Sequence, residues 1–188
     1  MNLDQLIDNL PAAAKDLKLN FSSLVRNNSE LTPQQLWGTA IACAIATRAP
    51  QLTAAVLEAA SAQISQQAIE AAQSAAAVMS MNNIFYRFHH LSSNEKYSTM
   101  PARLRMNSLR GHGVDPIDFE LWCLAVSAIN GCSKCVDSHE NVVREKGATE
   151  ELIAAVVRVA SVMHALGVML DAQQAVHSFA PDPVSATS

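Results

Sequence analysis

Glycine and aromatic residues are scarce in this chain of 188 residues, which has six glycines and 5% aromatic side chains. Strands are enriched in aromatic residues and tight turns in glycine, so both structures have few candidate sites here. Alanine, the best helix former, is abundant, and 49% of the residues are apolar. The chain is also long enough to bury a core of its own. The composition therefore predicts an all-α fold of closely packed helices.

Basic clusters are missing as well. The net charge is −4 without any local basic patch, which argues against nucleic acid as a partner. No uninterrupted apolar run approaches the ~18 residues that a membrane helix needs. The first residues, MNLDQLIDNL, include acids rather than the basic start of a secretory signal. We expect a cytoplasmic protein without a membrane anchor. In that compartment its four cysteines are reduced, and a Cys-x-x-Cys pair there is typical of catalysis or metal binding.

The segment FELWCLAVSAINGCSKCVDSHE holds the reactive residues, Glu120, Cys132, Cys135 and His139. Its polar second part and the following Gly147 predict a helix over residues 132–146. Residues three and four apart share a helix face, so Cys132 lies above Cys135, and Cys135 above His139. Two thiols at this spacing can close a disulfide, and the start of a helix favours a thiolate.

The two thiols are predicted to differ in role. The helix dipole alone would activate Cys132, the thiol nearer the helix start. His139, however, lies one turn from Cys135, and a base within hydrogen-bond reach activates a thiol more specifically than a dipole does. We therefore assign Cys135 as the attacking sulfur and Cys132 as the resolving thiol, with Glu120 as an acid that orients His139.

Elsewhere, apolar periodicity predicts a helix over residues 4–20, in which Pro11 has to fall at a break or in a first turn. A second helix is predicted to begin at Thr32-Pro33 and to be broken at Pro50. Residues 54–80 are predicted as two helices joined near 63–65. Periodicity fades from residue 81, and residues 89–115 form a crossover. Helices resume over residues 116–129, 132–146 and 149–176, and the tail 180–188 is expected to fray.

The chain resembles itself across this crossover. Leu36-Trp37 recurs as Leu121-Trp122, and further apolar residues match between segments 31–88 and 116–176. The sequence therefore predicts a duplicated helical unit whose halves form one domain over 1–188. Where the second half has Glu120, Cys132, Cys135 and His139, the first has Gln35, Thr47, Pro50 and Ala54. The shared residues are apolar and the differing ones are reactive, which points to a single site in the second half.

The run Glu120-Leu121-Trp122, followed by SAINGC up to Cys132 and then by Cys135 and His139-Glu140, resembles the alkylhydroperoxidase D (AhpD) family. That family lies in the carboxymuconolactone-decarboxylase-like superfamily. The resemblance implies an all-helical homotrimer without bound cofactor or metal. It also implies reduction of organic hydroperoxides and of a partner peroxiredoxin of the AhpC type. Electrons would come from a lipoyl-bearing acyltransferase and its dihydrolipoamide dehydrogenase.

Carried over by residue, the resemblance makes Cys135 the cysteine oxidised to sulfenic acid. Cys132 becomes the more exposed cysteine, which closes the disulfide and meets the partner. His139 and Glu120 become the proton relay. Some family members have a histidine between the cysteines where this chain has Lys134, whose positive charge is a possible stabiliser of the thiolate.

Other interpretations compete with this one. Cys132, Cys135 and His139 could ligate zinc, with Cys123, Glu120 or a distant histidine as the fourth ligand that a closed site needs. A disulfide-shuttle adapter would use the dithiol without turning over peroxide. A decarboxylase-like enzyme of the same superfamily would need the histidine and glutamate but not the thiols. Cys43 and Cys123 are predicted to be core residues, as is a methionine group that could border a peroxide pocket (Met79, Met81 and Met163).

Overall fold

The computed structural model describes residues 2–178, and in this part of the chain the regular structure is helical throughout. The α-helices are α1 (Leu3–Asp8), α2 (Lys15–Arg26), α3 (Pro33–Thr47), α4 (Pro50–Ser61), α5 (Gln66–Leu91), α6 (Lys96–Thr99), α7 (Pro116–Ile129), α8 (Ser133–Glu145) and α9 (Glu150–Ser178). Two short 3₁₀ turns cover Ala12–Ala14 and Asn107–Leu109. The all-α fold class is confirmed. The predicted tail, 180–188, lies outside the described residues.

The first predicted helix, over residues 4–20, is two helices with a 3₁₀ turn between them. Asn2 caps α1 through a reciprocal capping box with Gln5, and α1 ends at Asp8. Pro11 follows at the break, where its missing N–H leaves no helical hydrogen bond unmade. The expectation that Pro11 lies at a break is therefore confirmed, and the predicted segment is two helices rather than one.

The signals at the start of α3 are confirmed. Thr32 accepts a hydrogen bond from the Gln35 N–H, and the Gln35 side chain accepts one from the Thr32 N–H. Pro33 occupies the first turn, where its ring fits a helix. Pro50 does the same for α4, so one proline both ends the α3 segment and begins the next helix.

Helix α5 runs about three turns further than the periodicity predicted, to Leu91. The reason lies at Asn82 and Asn83, which are buried although they are polar. Polar residues on the core side of a helix break the apolar repeat without breaking the helix. The crossover between the halves therefore shortens to residues 92–115, and it contains α6 and the second 3₁₀ turn.

Helix α3 lies at the centre of the domain, where it packs against α5, α7 and α9. Gly38 permits the close approach to α7, because a Cβ atom there would overlap the Trp122 indole. Trp122 is fully buried and Trp37, its counterpart in the predicted repeat, is 9% exposed. Burial of matched residues agrees with a duplication but is also what any core shows, so the duplication stays a prediction.

Helix α9 bears on the expectation that no apolar run in the chain approaches the length of a membrane helix. Its residues Glu150–Gln173 are long and apolar enough to cross a membrane by length and composition alone. Single polar residues such as Arg158 interrupt the apolar run, which is why a search for uninterrupted runs overlooks it. In the domain, α9 packs against α3 and α7, and a little under half of this stretch is buried, as in the core helix of a folded domain.

Candidate active site

A tight turn between α7 and α8 sets the position of the first cysteine. Asn130 ends α7, and Gly131 adopts a left-handed conformation with φ of 64°, which glycine accepts without strain. Cys132 is then the N-cap of α8, which begins at Ser133, one residue later than predicted. Its backbone N–H donates to the Ser127 carbonyl oxygen over 3.2 Å, which holds the turn against the end of α7.

Cys132 and Cys135 are joined by a disulfide, with their Cα atoms 5.3 Å apart. Cys43 and Cys123 are free and buried, in agreement with their predicted place in the core. Burial raises the pKa of the Cys43 thiol. Burial, and then the negative charge of Glu120, raise the pKa of the Cys123 thiol. Since the thiolate is the nucleophile, these two sulfurs are poor candidates for chemistry at neutral pH.

The relative exposure of the two bridged cysteines is the reverse of that implied by the resemblance. Cys132 is 0% exposed, whereas Cys135 is 6% exposed. The N-cap position packs Cys132 under the end of α7, while Cys135, in the first turn of α8, lines an open cavity. The prediction that Cys132 is the more exposed sulfur is therefore wrong for this oxidised subunit.

Glu120 on α7 and His139 on α8 form a close pair across the two helices. His139 Nδ1 lies 2.6 Å from Glu120 Oε2, and both side chains are mostly buried. When Nδ1 carries the hydrogen and donates it to the carboxylate, Nε2 is left as the ring's basic nitrogen. Nε2 lies 3.2 Å from Met79 Sδ, which can only accept, so Met79 receives a hydrogen bond from the ring only after Nε2 has taken up a proton.

Cys135 and His139 open onto the same cavity, between α5 and α8, with a volume of about 310 Å³. Its lining from α8 also includes Lys134 and Ser138. The Lys134 ammonium lies 5.5 Å from the centre of the Tyr86 ring, on the α5 side. The remaining lining comes from Asn82 and from three apolar side chains, Met79, Met106 and Leu109. The suggestion that part of the methionine group borders a pocket is confirmed for Met79.

Sequence reasoning missed a buried polar network that supports the site from α5. Asn83 Nδ2 donates to Ser127 Oγ over 2.9 Å, and Asn130 Nδ2 donates to Asn83 Oδ1 over 2.9 Å. Arg87 then donates to the Asn130 carbonyl oxygen over 2.6 Å. This network fixes the end of α7 next to the turn that carries Cys132. The available signal was the pair of adjacent asparagines that follows the alanine-rich, apolar middle of α5.

Similarity to known proteins agrees with this geometry. A protein of Acidobacterium capsulatum named "Alkyl hydroperoxide reductase AhpD" is 69% identical over 174 residues, which are 93% of this chain and 95% of that protein. A protein of the same name from Koribacter versatilis is 60% identical over 93% of this chain and 90% of its own length. A third, from Streptomyces griseus, is 54% identical over 92% and 97%. The chain belongs to the AhpD family.

Residues 95–178 of this AhpD-family chain also match the model of the Carboxymuconolactone decarboxylase family. This match confirms the predicted superfamily. That matched segment contains Glu120, both bridged cysteines and His139, but not the α5 wall of the cavity. The zinc interpretation has no support in the arrangement. Among residues 2–178, no three or more histidine, cysteine, aspartate or glutamate side chains are grouped so that they could hold a metal ion.

Proposed function

We propose that this AhpD-family protein is a thiol-dependent alkyl hydroperoxide reductase, the activity that its relatives' names carry. One observation carries the proposal. The redox-capable sulfur of Cys135 lines a cavity together with His139, whose other nitrogen is held by Glu120. A thiol, a positioned base and an orienting acid next to a partly apolar cavity are what two-electron reduction of an organic hydroperoxide requires.

In the proposed reaction, His139 accepts the Cys135 proton, directly or through one water. The Cys135 thiolate attacks the terminal oxygen of ROOH, so that an S–O bond forms and the O–O bond breaks. The alkoxide leaves with a proton from His139 as ROH, and Cys135 becomes a sulfenic acid. Cys132 then attacks the Cys135 sulfur, the S–S bond forms, and water leaves. The dithiol loses two electrons and the peroxide gains them.

For the return half of the cycle, we propose electrons from a dihydrolipoyl group on an acyltransferase, regenerated by dihydrolipoamide dehydrogenase in the cytoplasm. An AhpC-type peroxiredoxin is the proposed second acceptor. Cys132 is proposed to form the mixed disulfide with a partner. Because Cys132 is fully buried in the oxidised subunit, the turn at Gly131 has to open for this step. Lys134, at the cavity and exposed, is proposed to stabilise the developing thiolate by its charge.

The function is tested by stopped-flow mixing of the fully reduced protein with cumene hydroperoxide. We expect one equivalent of peroxide to be consumed and two of the four thiols to be lost, because only Cys132 and Cys135 lie within bonding distance of each other. Mass spectrometry of alkylated peptides then locates the bridge. A bridge that includes Cys43 or Cys123 contradicts the site assignment. Reduction of a peroxiredoxin disulfide without consumption of peroxide would instead favour the disulfide-shuttle adapter.

A homotrimeric assembly is proposed from the family resemblance and is supported by exposed apolar side chains near the end of α5 and in the segment after it. Ile84, Phe88, Leu91 and Met100 are between 48% and 74% exposed in the single subunit. Ile84, Phe88 and Leu91 share one face of α5 by their spacing, and an exposed apolar face is typical of an interface. Sedimentation at micromolar concentration is expected to give three times the subunit mass of 20.2 kDa. A species of one subunit mass under those conditions would contradict the assembly.

A further inference from the structure

The cavity next to Cys135 contains a buried hydrogen-bond acceptor that no group in the described part of the chain satisfies. Asn82 lines the cavity and is 5% exposed, and its amide oxygen Oδ1 has no hydrogen-bond partner. Leaving a buried acceptor without a donor costs roughly 1–3 kcal/mol, so native structures rarely keep one without a reason. Because the Asn82 side chain lines the cavity, a molecule bound there can supply this donor, and the amide oxygen, which is closed to solvent in this structure, has to turn toward that molecule.

The neighbouring asparagine shows that this is not a general property of the region. Asn83 faces α7, and both ends of its amide are paired there, with Ser127 and Asn130. Asn82 has only one partner, because its Nδ2 donates to Met106 Sδ over 3.5 Å. With Nδ2 paired to Met106, the oxygen Oδ1 is the amide atom that is left without a partner. Met79 and Tyr86, three residues before and four residues after Asn82, line the same cavity.

We propose that Asn82 Oδ1 accepts a hydrogen bond from the terminal O–H of the hydroperoxide and so positions that oxygen for attack by Cys135. The inference rests on the proposed peroxidase function and deepens it. A hydroperoxide is suited to this acceptor, since its terminal oxygen carries a hydrogen and is also the atom that the thiolate attacks. That hydrogen stays on the transferred oxygen, so the sulfenic acid S–O–H continues to donate to Asn82 after the O–O bond has broken.

The rest of the cavity lining then serves the organic group. Met79, Met106 and Leu109 present apolar and thioether surface beside the amide, and burial of an alkyl or aryl group there is favourable. A volume of about 310 Å³ is at the small end of the usual range for ligand pockets. The effects of Asn82 and of the apolar wall on the reaction rate can therefore be measured separately. Asn82 acts on every hydroperoxide, including hydrogen peroxide, whereas the apolar wall acts only on those with an organic substituent.

The test measures the second-order rate of Cys135 oxidation in the reduced protein with two probes, cumene hydroperoxide and hydrogen peroxide. Asn82→Leu keeps the size of the side chain but removes the acceptor, and we expect both rates to fall by a similar factor, about 3- to 10-fold, as for the loss of one hydrogen bond. Leu109→Ala trims the apolar wall and is expected to slow cumene hydroperoxide more than hydrogen peroxide. Asn82→Ala, which cannot overpack the cavity, provides a second variant with the same expected direction.

Alkylation of the same thiol by N-ethylmaleimide, which has no hydrogen-bond donor, separates positioning of the peroxide from an effect on the thiol. The alkylation rate is expected to stay within about twofold of wild type in the Asn82 variants, since a hydrogen-bond acceptor for the peroxide does not act on this reagent. Asn141→Leu, at an exposed site on α8, is the matched control and should leave all three rates unchanged. Peroxide rates that equal wild type in Asn82→Leu, or an alkylation rate that falls in parallel with them, would overturn the proposal. A wild-type protein that does not react with either peroxide would instead refute the underlying function.

Discussion

Replacing Cys135 by serine is expected to abolish reaction with hydroperoxide. The remaining thiol of the pair, Cys132, is fully buried at the N-cap of α8, while the cavity is lined by residue 135. Cys132 is also two turns from His139, so this base is not placed to take its proton. The measurement is trapping of sulfenic acid with a dimedone-type reagent, followed by peptide mass spectrometry. No adduct should form on Cys132 at a rate approaching that of the wild type.

The reciprocal variant separates the two roles. Cys132→Ser should still react once with peroxide, and its sulfenic acid on Cys135 should persist because no resolving thiol remains. The trap should therefore label Cys135 in that variant, with overoxidation at longer times. Cys43→Ala is the matched control, because it removes a buried thiol from α3 outside the cavity. Rapid labelling of Cys132 in Cys135→Ser would reverse the assignment of attacker and resolver.

Loss of the base is expected to have the second largest effect. His139→Gln should slow oxidation of Cys135 by roughly 10²–10⁴-fold, the range typical for removal of a positioned proton acceptor. Glu120→Gln should slow the reaction less, because the imidazole stays in place but loses the carboxylate that lies 2.6 Å from its Nδ1. Stopped-flow oxidation at several pH values checks both variants. The difference in oxidation rate between each variant and the wild type should become smaller at high pH, where the Cys135 thiolate forms without a base.

Glu145→Gln is the control for charge, because it removes a carboxylate from the exposed surface of α8. It should react at the wild-type rate. A deficit in His139→Gln that stays constant up to high pH would mean that His139 acts on some later step than formation of the thiolate. Thermal unfolding of each variant shows whether a slow rate reflects a damaged fold.

Much of this site could be predicted from sequence because it depends on local spacing. Cys132 and Cys135 are three positions apart at a helix start, and such a pair meets in any chain that folds that way. The limits of α3 and α7 were equally local, since Pro33 and Pro116 each mark a first helical turn. The pairing of Glu120 with His139 crosses two helices, but the short α7–α8 turn restricts how they can lie.

The α5 side of the site could not be derived in this way. Met79 and Asn82 meet His139 and Met106 only because of how α5 crosses α8 and the 92–115 segment. Nothing in their own neighbourhood specifies that crossing. The burial of Cys132 could not be predicted from the sequence either, because the exposure of an N-cap residue depends on what the preceding turn packs against. Distance along the chain, more than residue type, separated what could be predicted from what could not.

The bridge in this protein closes one of the smallest rings a disulfide can make, because its cysteines are only three positions apart. In the chain-entropy description, a crosslink over about four residues restricts the unfolded chain by only about 2 kcal/mol, against ~4.7 kcal/mol for a 100-residue loop. Opening the bridge therefore changes the free energy of unfolding by a minor part of the ~5–15 kcal/mol typical of a domain. Since this difference is smaller than the net stability of a typical domain, the reduced subunit is expected to stay folded, and repeated cycles of oxidation and reduction need not become cycles of unfolding.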